Sequence, residues 1–303
     1  MQLTELLEQL AQKSRDELAS MPEVVEGNTD LDVSKLPIGV RKWTRMSDIV
    51  AVVADLKSST SLGIGKRAPS TAAIYEAATG GAVKVFASFD ADFVQIQGDG
   101  AFALFWGEKR YERALCAGIT VKTMSLDLTK RLENKWPQAP ETGFKVGISS
   151  GRVLVKRVGT PRNPSQQEPV WAGSPVNYAT KAAQWAGRHE LVVTGSVWDR
   201  IEKIDYLTFS CDCSEPTGSI WSDTTIDKLP EDDPERAGRL LTSAWCDTHG
   251  EEYCNAVLDG RTDRPELISM RNGMLQGQME NSFRAALKTK REQERIRRRG
   301  FSG

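Results

Sequence analysis

The chain has only two histidines and five cysteines, and neither residue type falls near its acidic motifs. An odd cysteine count argues against a disulfide framework. Cys211-Asp212-Cys213, Cys246-Asp247-Thr248-His249 and Cys254 can be drawn as a zinc site. Cys-x-Cys is tighter than the usual zinc-knuckle spacing, however, so reduced thiols are expected. An excess of charge of either sign is also missing. The formal net charge is −1, which removes any global electrostatic case for nucleic acid or a membrane surface. No apolar run approaches membrane-spanning length and no signal-peptide pattern opens the chain, so a cytoplasmic protein with no membrane partner is expected. Basic residues concentrate only from Arg284 to Arg299, where they far outnumber Glu292 and Glu294. That run reads as a solvated, frayed helix, and nucleic-acid binding is not expected.

What is present is enough chain, 303 residues, to bury a sizeable core in one large domain. Residues 1–44 read as an N-terminal amphipathic helix (1–20) and a linker, 45–258 as a catalytic domain, and 259–303 as a basic extension. Within the domain, the apolar pattern predicts a strand over Asp48–Leu56, an Ala-rich helix from Pro69 to Phe86, and a hairpin over 92–106. A long helix follows near 109–134, then a strand pair over Phe144–Val155, a loop Gly159–Glu168 lying over the substrate, and a strand Glu190–Thr194. The best late strand is Leu240–Trp245. The order β-α-β-β-α-β with a central hairpin predicts a ferredoxin-like α+β core.

Two aspartates stand out, each at the tip of an apolar run. Ile49-Val50-Ala51-Val52-Val53-Ala54 ends on Asp55, and Gly98-Asp99-Gly100 separates two strand-like stretches. Carboxylates on neighbouring strand ends hold hard divalent cations rigidly and leave room for phosphates. Lys57, Ser58, Ser59 and Thr60 follow the first aspartate, and their backbone N–H groups suit a phosphate cradle. Downstream, Ser174 and Pro175 suit a helix start, which places Asn177 and Lys181 four apart on one helical face. An amide beside an ammonium orients a ribose and neutralises charge developing at phosphate.

The ordered set Asp55-x-x-x-x-Thr60, Gly98-Asp99, Val146-Gly147-Ile148-Ser149-Ser150-Gly151 and Gly173-x-x-Val176-Asn177-x-x-x-Lys181 resembles the class III nucleotidyl cyclases. The resemblance spans about residues 45–205. It implies that Asp55, Asp99 and the Leu56 carbonyl bind two Mg²⁺ or Mn²⁺ ions per site, and that Asn177 is the transition-state asparagine. Its usual arginine partner falls on Lys181, which keeps the charge but not the bidentate fork. The Lys and acidic positions that read adenine in this class fall on Gln95 and Val170. Gln95 and Gln97 share a strand face, with Val94 and Ile96 turned to the core. Gln95 offers both a donor and an acceptor to a pyrimidine edge, and Trp171 beside Val170 narrows the pocket to a single ring.

The whole chain is most similar to the pyrimidine (uridylate or cytidylate) cyclases of bacterial Pycsar antiphage systems. That implies conversion of UTP to 3′,5′-cyclic UMP and pyrophosphate in a homodimer whose sites lie between subunits. Cytidylate cyclase, purine cyclase and a non-catalytic nucleotide-binding module are the alternatives.

Overall fold

The computed structural model describes residues 2–160, 162–213 and 215–268; the basic run 284–299 lies outside them. A helix α1 (Leu3–Ala19) and a short strand β1 (Glu23–Glu26) precede the long strand β2 (Lys42–Leu56). Then come α2 (Ser59–Leu62), α3 (Ala68–Tyr75), α4 (Gly81–Ser88) and the hairpin β3 (Phe93–Gln97) and β4 (Gly100–Phe105). The helix α5 (Arg110–Lys135) leads to β5 (Phe144–Gly159), β6 (Gln167–Gly173), α6 (Ser174–Trp185) and β7 (Leu191–Val193). Two short helices, α7 (Gly195–Ile201) and α8 (Asp205–Thr208), are followed by β8 (Trp221–Thr225), β9 (Ala237–Leu241) and α9 (Gly250–Leu258).

The strands form one mixed sheet in the order β3-β4-β2-β5-β7-β9-β8, with β1 on β2 and β6 on β5. β2 is central because it is apolar on both faces. Val50, Val52 and Ala54 pack in one cluster with Leu115 and Ile119 of α5 and Phe86 of α4, while Ile49, Ala51 and Val53 face the other side with Phe102, Leu104 and Ala183. Each fully buried Val or Ile contributes about 1.5–3 kcal/mol through burial. Gly147 has a packing reason: a Cβ there would lie 2.0 Å from the Ala179 carbonyl, so only glycine lets α6 lie directly on β5.

Several expected boundaries shift. The first core strand begins at Lys42, with a register break between Met46 and Ile49. The former linker supplies β1, paired parallel to Lys42–Arg45. The Ala-rich helix is interrupted by a π-helical turn at Glu76–Gly80. Phe144–Gly159 is one long strand rather than a pair. Gly173, not Ser174, occupies the cap position of α6. The late strand ends at Leu241 because Thr242–Trp245 is drawn onto α5 instead. Buried Lys122 donates from Nζ to the Thr242 carbonyl at 2.5 Å, and Trp245 donates to Thr123 and Thr120 hydroxyls at 3.1 and 2.9 Å.

Candidate active site

Side chains alternate along β2, so Asp55 projects to the same face as Ile49, Ala51 and Val53. The register Ala54↔Ala101 puts Asp55 opposite Gly100, one residue from Asp99 in the Gly98-Asp99 turn. Gly98 takes φ +62, which glycine adopts without strain, and a Cβ at Gly100 would lie 2.6 Å from the Ala54 carbonyl. The hairpin is thereby pressed against β2. The π-helical turn has a local purpose here: Thr79, buried within it, donates its hydroxyl to the Asp99 carbonyl at 2.9 Å. The backbone therefore places Asp55 and Asp99 at neighbouring ends of hydrogen-bonded strands, on a rigid mount.

Lys145 is directly opposite Asp55 on β5 and its Nζ lies 2.5 Å from the Asp55 carboxylate. A cation is thus already held at this carboxylate. The donors at this end of the sheet are Asp55, Asp99 and the strand-end carbonyl of Leu56, all hard oxygens, and the lining of the adjoining cleft includes no thiol or imidazole. This set fits a divalent ion of the Mg²⁺ or Mn²⁺ kind and not a soft metal. Lys145 was not singled out from sequence. Its signal was a lone cation preceding the Val146-Gly147-Ile148 strand, at a position that alternation assigns to the Asp55 face.

The phosphate-cradle segment is only partly as expected. The Lys57 N–H donates to the Gly143 carbonyl at 3.0 Å and its own carbonyl accepts from Thr142 Oγ1 at 2.8 Å. The backbone of Lys57 is therefore committed to the 142–143 turn, leaving Ser58, Ser59 and Thr60 as the candidates. Ser58 has φ +59 and leads into the single turn α2. The turn is backed by His189, whose Nδ1 lies 3.0 Å from Ser125 Oγ, which also accepts from the Phe144 N–H at 2.7 Å. Burial, reinforced by Arg188, pulls the His189 pKa down to about 4, so the ring is neutral at physiological pH.

Asn177 and Lys181 share a face of α6, as expected. The Asn177 amide donates to the Gly173 carbonyl at 3.2 Å, and Lys181 Nζ lies 5.9 Å from the Tyr178 ring centre. The cleft beside Asp55 is lined from α6 by Thr180 and Gln184, together with Val53, Gln97 and Phe102. Its volume is about 80 Å³, well short of what a nucleotide needs. The loop after Gly159 also lies elsewhere. Asp55 pairs with Lys145, and Gly159 is fourteen residues further along β5, so the loop is the tip of the β5–β6 hairpin at the opposite end of the strand.

The base-reading candidates divide. Gln95 and Gln97 share a face of β3 with Phe93, and Gln97 reaches the cleft. Ile96 departs from expectation, standing 56% exposed on this edge strand, while Val94 packs against the core. Trp171 joins an aromatic cluster, 5.1 Å from Phe93 and 6.0 Å from Trp106 between ring centres. Val170 alternates to the other face and is 39% exposed, so the two neighbours do not form one wall.

The five free cysteines fall into two groups. Cys211, Cys213, Cys246 and His249 converge, with one ligating atom of each within 4.8 Å of the others. Cys254 instead faces the core on α9, beside Cys116.

Fold comparison identifies the class. The chain resembles the adenylyl cyclase CyaB from P. aeruginosa with a TM-score of 0.53 at 14% identity, covering 67% of this chain and 96% of that one. A class III adenylyl cyclase-like ATP-binding protein from Pseudomonas aeruginosa matches with a TM-score of 0.53 at 17% identity, over 65% of this chain and 43% of the other. The architecture is that of a class III nucleotidyl cyclase catalytic domain. Sequence relatives narrow it. A uridylate cyclase of Micromonospora echinofusca is 58% identical over 269 residues, 88% of each chain. One of Propioniciclava tarda is 46% identical over 287 residues, 93% of this chain and 92% of the relative. No family model matches the chain. The chain belongs to the uridylate cyclases, and it is a nucleotide cyclase.

Proposed function

We infer that the protein converts UTP to 3′,5′-cyclic UMP and pyrophosphate. The observation that carries this reading is the backbone placement of Asp55 and Asp99 at adjacent strand ends, in a chain 58% identical to a uridylate cyclase. Two divalent cations, Mn²⁺ or Mg²⁺, held by Asp55, Asp99 and the Leu56 carbonyl, would supply activation of the ribose 3′-hydroxyl and neutralise the triphosphate. In the reaction the 3′-oxygen loses its proton and bonds to the α-phosphorus, the α–β bridging P–O bond breaks, and pyrophosphate leaves with that electron pair. With a cation held at Asp55, the Lys145 ammonium now paired with it would be free to face the triphosphate. Ser58, Ser59 and Thr60 border the phosphates, and Gln95 with Gln97 reads the pyrimidine edge. Val170 and Trp171 are the remaining base-pocket candidates.

Asn177 orients the ribose and Lys181 stabilises charge at the α-phosphate, both reaching in from a second copy of the chain. A single chain's cleft of about 80 Å³, with Asn177 turned elsewhere, supports this shared-site homodimer. We assign the product to antiphage signalling on the resemblance to Pycsar cyclases. No helix among the described residues is long and apolar enough to cross a membrane.

The test is product analysis after incubation with each of the four ribonucleoside triphosphates and Mn²⁺. Cyclic UMP as the dominant product supports the reading, and cyclic CMP transfers it to cytidylate cyclase. A dominant cyclic purine nucleotide, or no turnover of any substrate, overturns it.

A further inference from the structure

We propose that Cys211, Cys213, Cys246 and His249 form a structural zinc site, separate from the catalytic metals. Three thiols and an imidazole make up one of the closed donor sets zinc favours, and four protein ligands leave no open position for chemistry. Tetrahedral geometry with Zn–S near ~2.3 Å and Zn–N near ~2.0 Å separates donors by roughly 3.5–3.8 Å. The four atoms already lie within 4.8 Å of one another, and Cys213 Sγ is 3.2 Å from His249 Nδ1.

Packing does not explain this convergence. Cys213 is exposed and Cys211 and Cys246 are only half-buried, so burial of thiols is not what draws them together. No disulfide joins them. The ligands come from two irregular segments, one between α8 and β8 and one between β9 and α9, which flank the antiparallel β8–β9 ladder. A bend at Cys213 lets the short Cys-x-Cys spacing point both sulfurs at one place, and Cys246-x-x-His249 closes the set at the start of α9.

The surroundings orient the donors. The Thr248 N–H donates to Cys246 Sγ at 3.4 Å, as backbone amides do to bound thiolates. The His249 ring stacks on Tyr253 with centres 5.7 Å apart, and Arg264 lies 4.6 Å above the Tyr253 ring. Binding converts three thiols to thiolates and releases their protons to solvent as the ion enters. The ion would clip the β8–β9 edge of the sheet to α9.

The experiment is elemental analysis of the full chain, purified without chelator and then dialysed against EDTA and back into buffer, which strips loosely held catalytic metal. One zinc per chain is expected in the wild type and in Cys254→Ser, with at least a tenfold loss in Cys213→Ser/Cys246→Ser. Should that variant fail to fold, replacement of the wild-type ion by Co²⁺ gives the same answer. Intense tetrahedral ligand-field bands with thiolate-to-cobalt charge transfer support the site. Wild-type protein that retains no zinc and takes up neither Zn²⁺ nor Co²⁺, or a double variant that keeps full zinc, overturns it. So does a disulfide between these cysteines in freshly purified protein.

Discussion

Two regions of the sheet carry clusters of opposite chemistry. Between β2 and the β3–β4 hairpin, Asp55 ends a regular strand and Asp99 sits in the tight turn beside it, their register fixed by backbone hydrogen bonds, and a cleft opens next to Asp55. Near the β8–β9 end, Cys211, Cys213, Cys246 and His249 sit on irregular chain and close on one another. A rigid mount with hard oxygens suits ions that must also accept phosphate oxygens. Soft donors on irregular chain suit an ion that would order the segments it joins.

The sharpest way to break the comparison is to remove a carboxylate. Asp55→Asn or Asp99→Asn should lower cyclic nucleotide formation by about a thousandfold or more, with the melting temperature little changed, since neither side chain is in the core. Loss of the fold in either variant would move the aspartates from chemistry to structure. Lys145→Met should act next most strongly. It leaves Asp55 without its resident cation and the triphosphate without an ammonium, so KM for the nucleotide should rise by about 10–100-fold. An unchanged KM would confine Lys145 to a role in the metal-free chain.

Base choice is a smaller effect. Gln95→Lys with Val170→Asp should raise the ATP-to-UTP ratio of kcat/KM by about tenfold, because a site keyed to one edge leaves buried groups unpaired with another. Competition assays with both nucleotides read this directly; a ratio that does not move would exclude these positions from the base pocket. The smallest effect concerns His189 behind the 142–143 turn. Its folded pKa of about 4 lies below the ordinary 6.5, so on acidification the unfolded chain binds a proton that the folded one refuses. This contribution is intact above about pH 6.5 and is lost as pH falls towards about 4. Between about pH 7 and pH 4.5, wild type should lose on the order of 1 kcal/mol more stability than His189→Gln, after discounting for a half-buried site. Parallel losses in denaturant titrations would contradict it.

Much of the carboxylate end was legible in sequence because strand periodicity and a Gly-Asp-Gly turn are local signals. The β-branched run to Asp55 and the 92–106 hairpin needed only neighbouring residues to be read. Lys145, Thr79 and Gln184 were not legible, since each reaches the site through strand register, a π-helical turn or helix-on-sheet packing. The π-turn itself has no clear mark in an Ala-rich stretch. The late strand was drawn too long because Leu240–Trp245 is apolar enough, whereas the pull of Lys122 and of the Thr120 and Thr123 hydroxyls on it is tertiary. Spacing alone did not show the grouping of the cysteines, since only the bend at Cys213 and the approach of Cys246 across the fold bring the donors together.

In the proposed homodimer, Asn177 and Lys181 of the second copy complete the carboxylate end. Asp55→Ala and Asn177→Ala should each be inactive alone. In a mixed dimer one site collects both lesions and the other neither. Random pairing makes half the dimers mixed, so cyclic UMP formation after co-expression should return to roughly a quarter of wild type. No recovery, with mixed dimers demonstrated by differently tagged chains, would contradict the account and place the whole site within one chain.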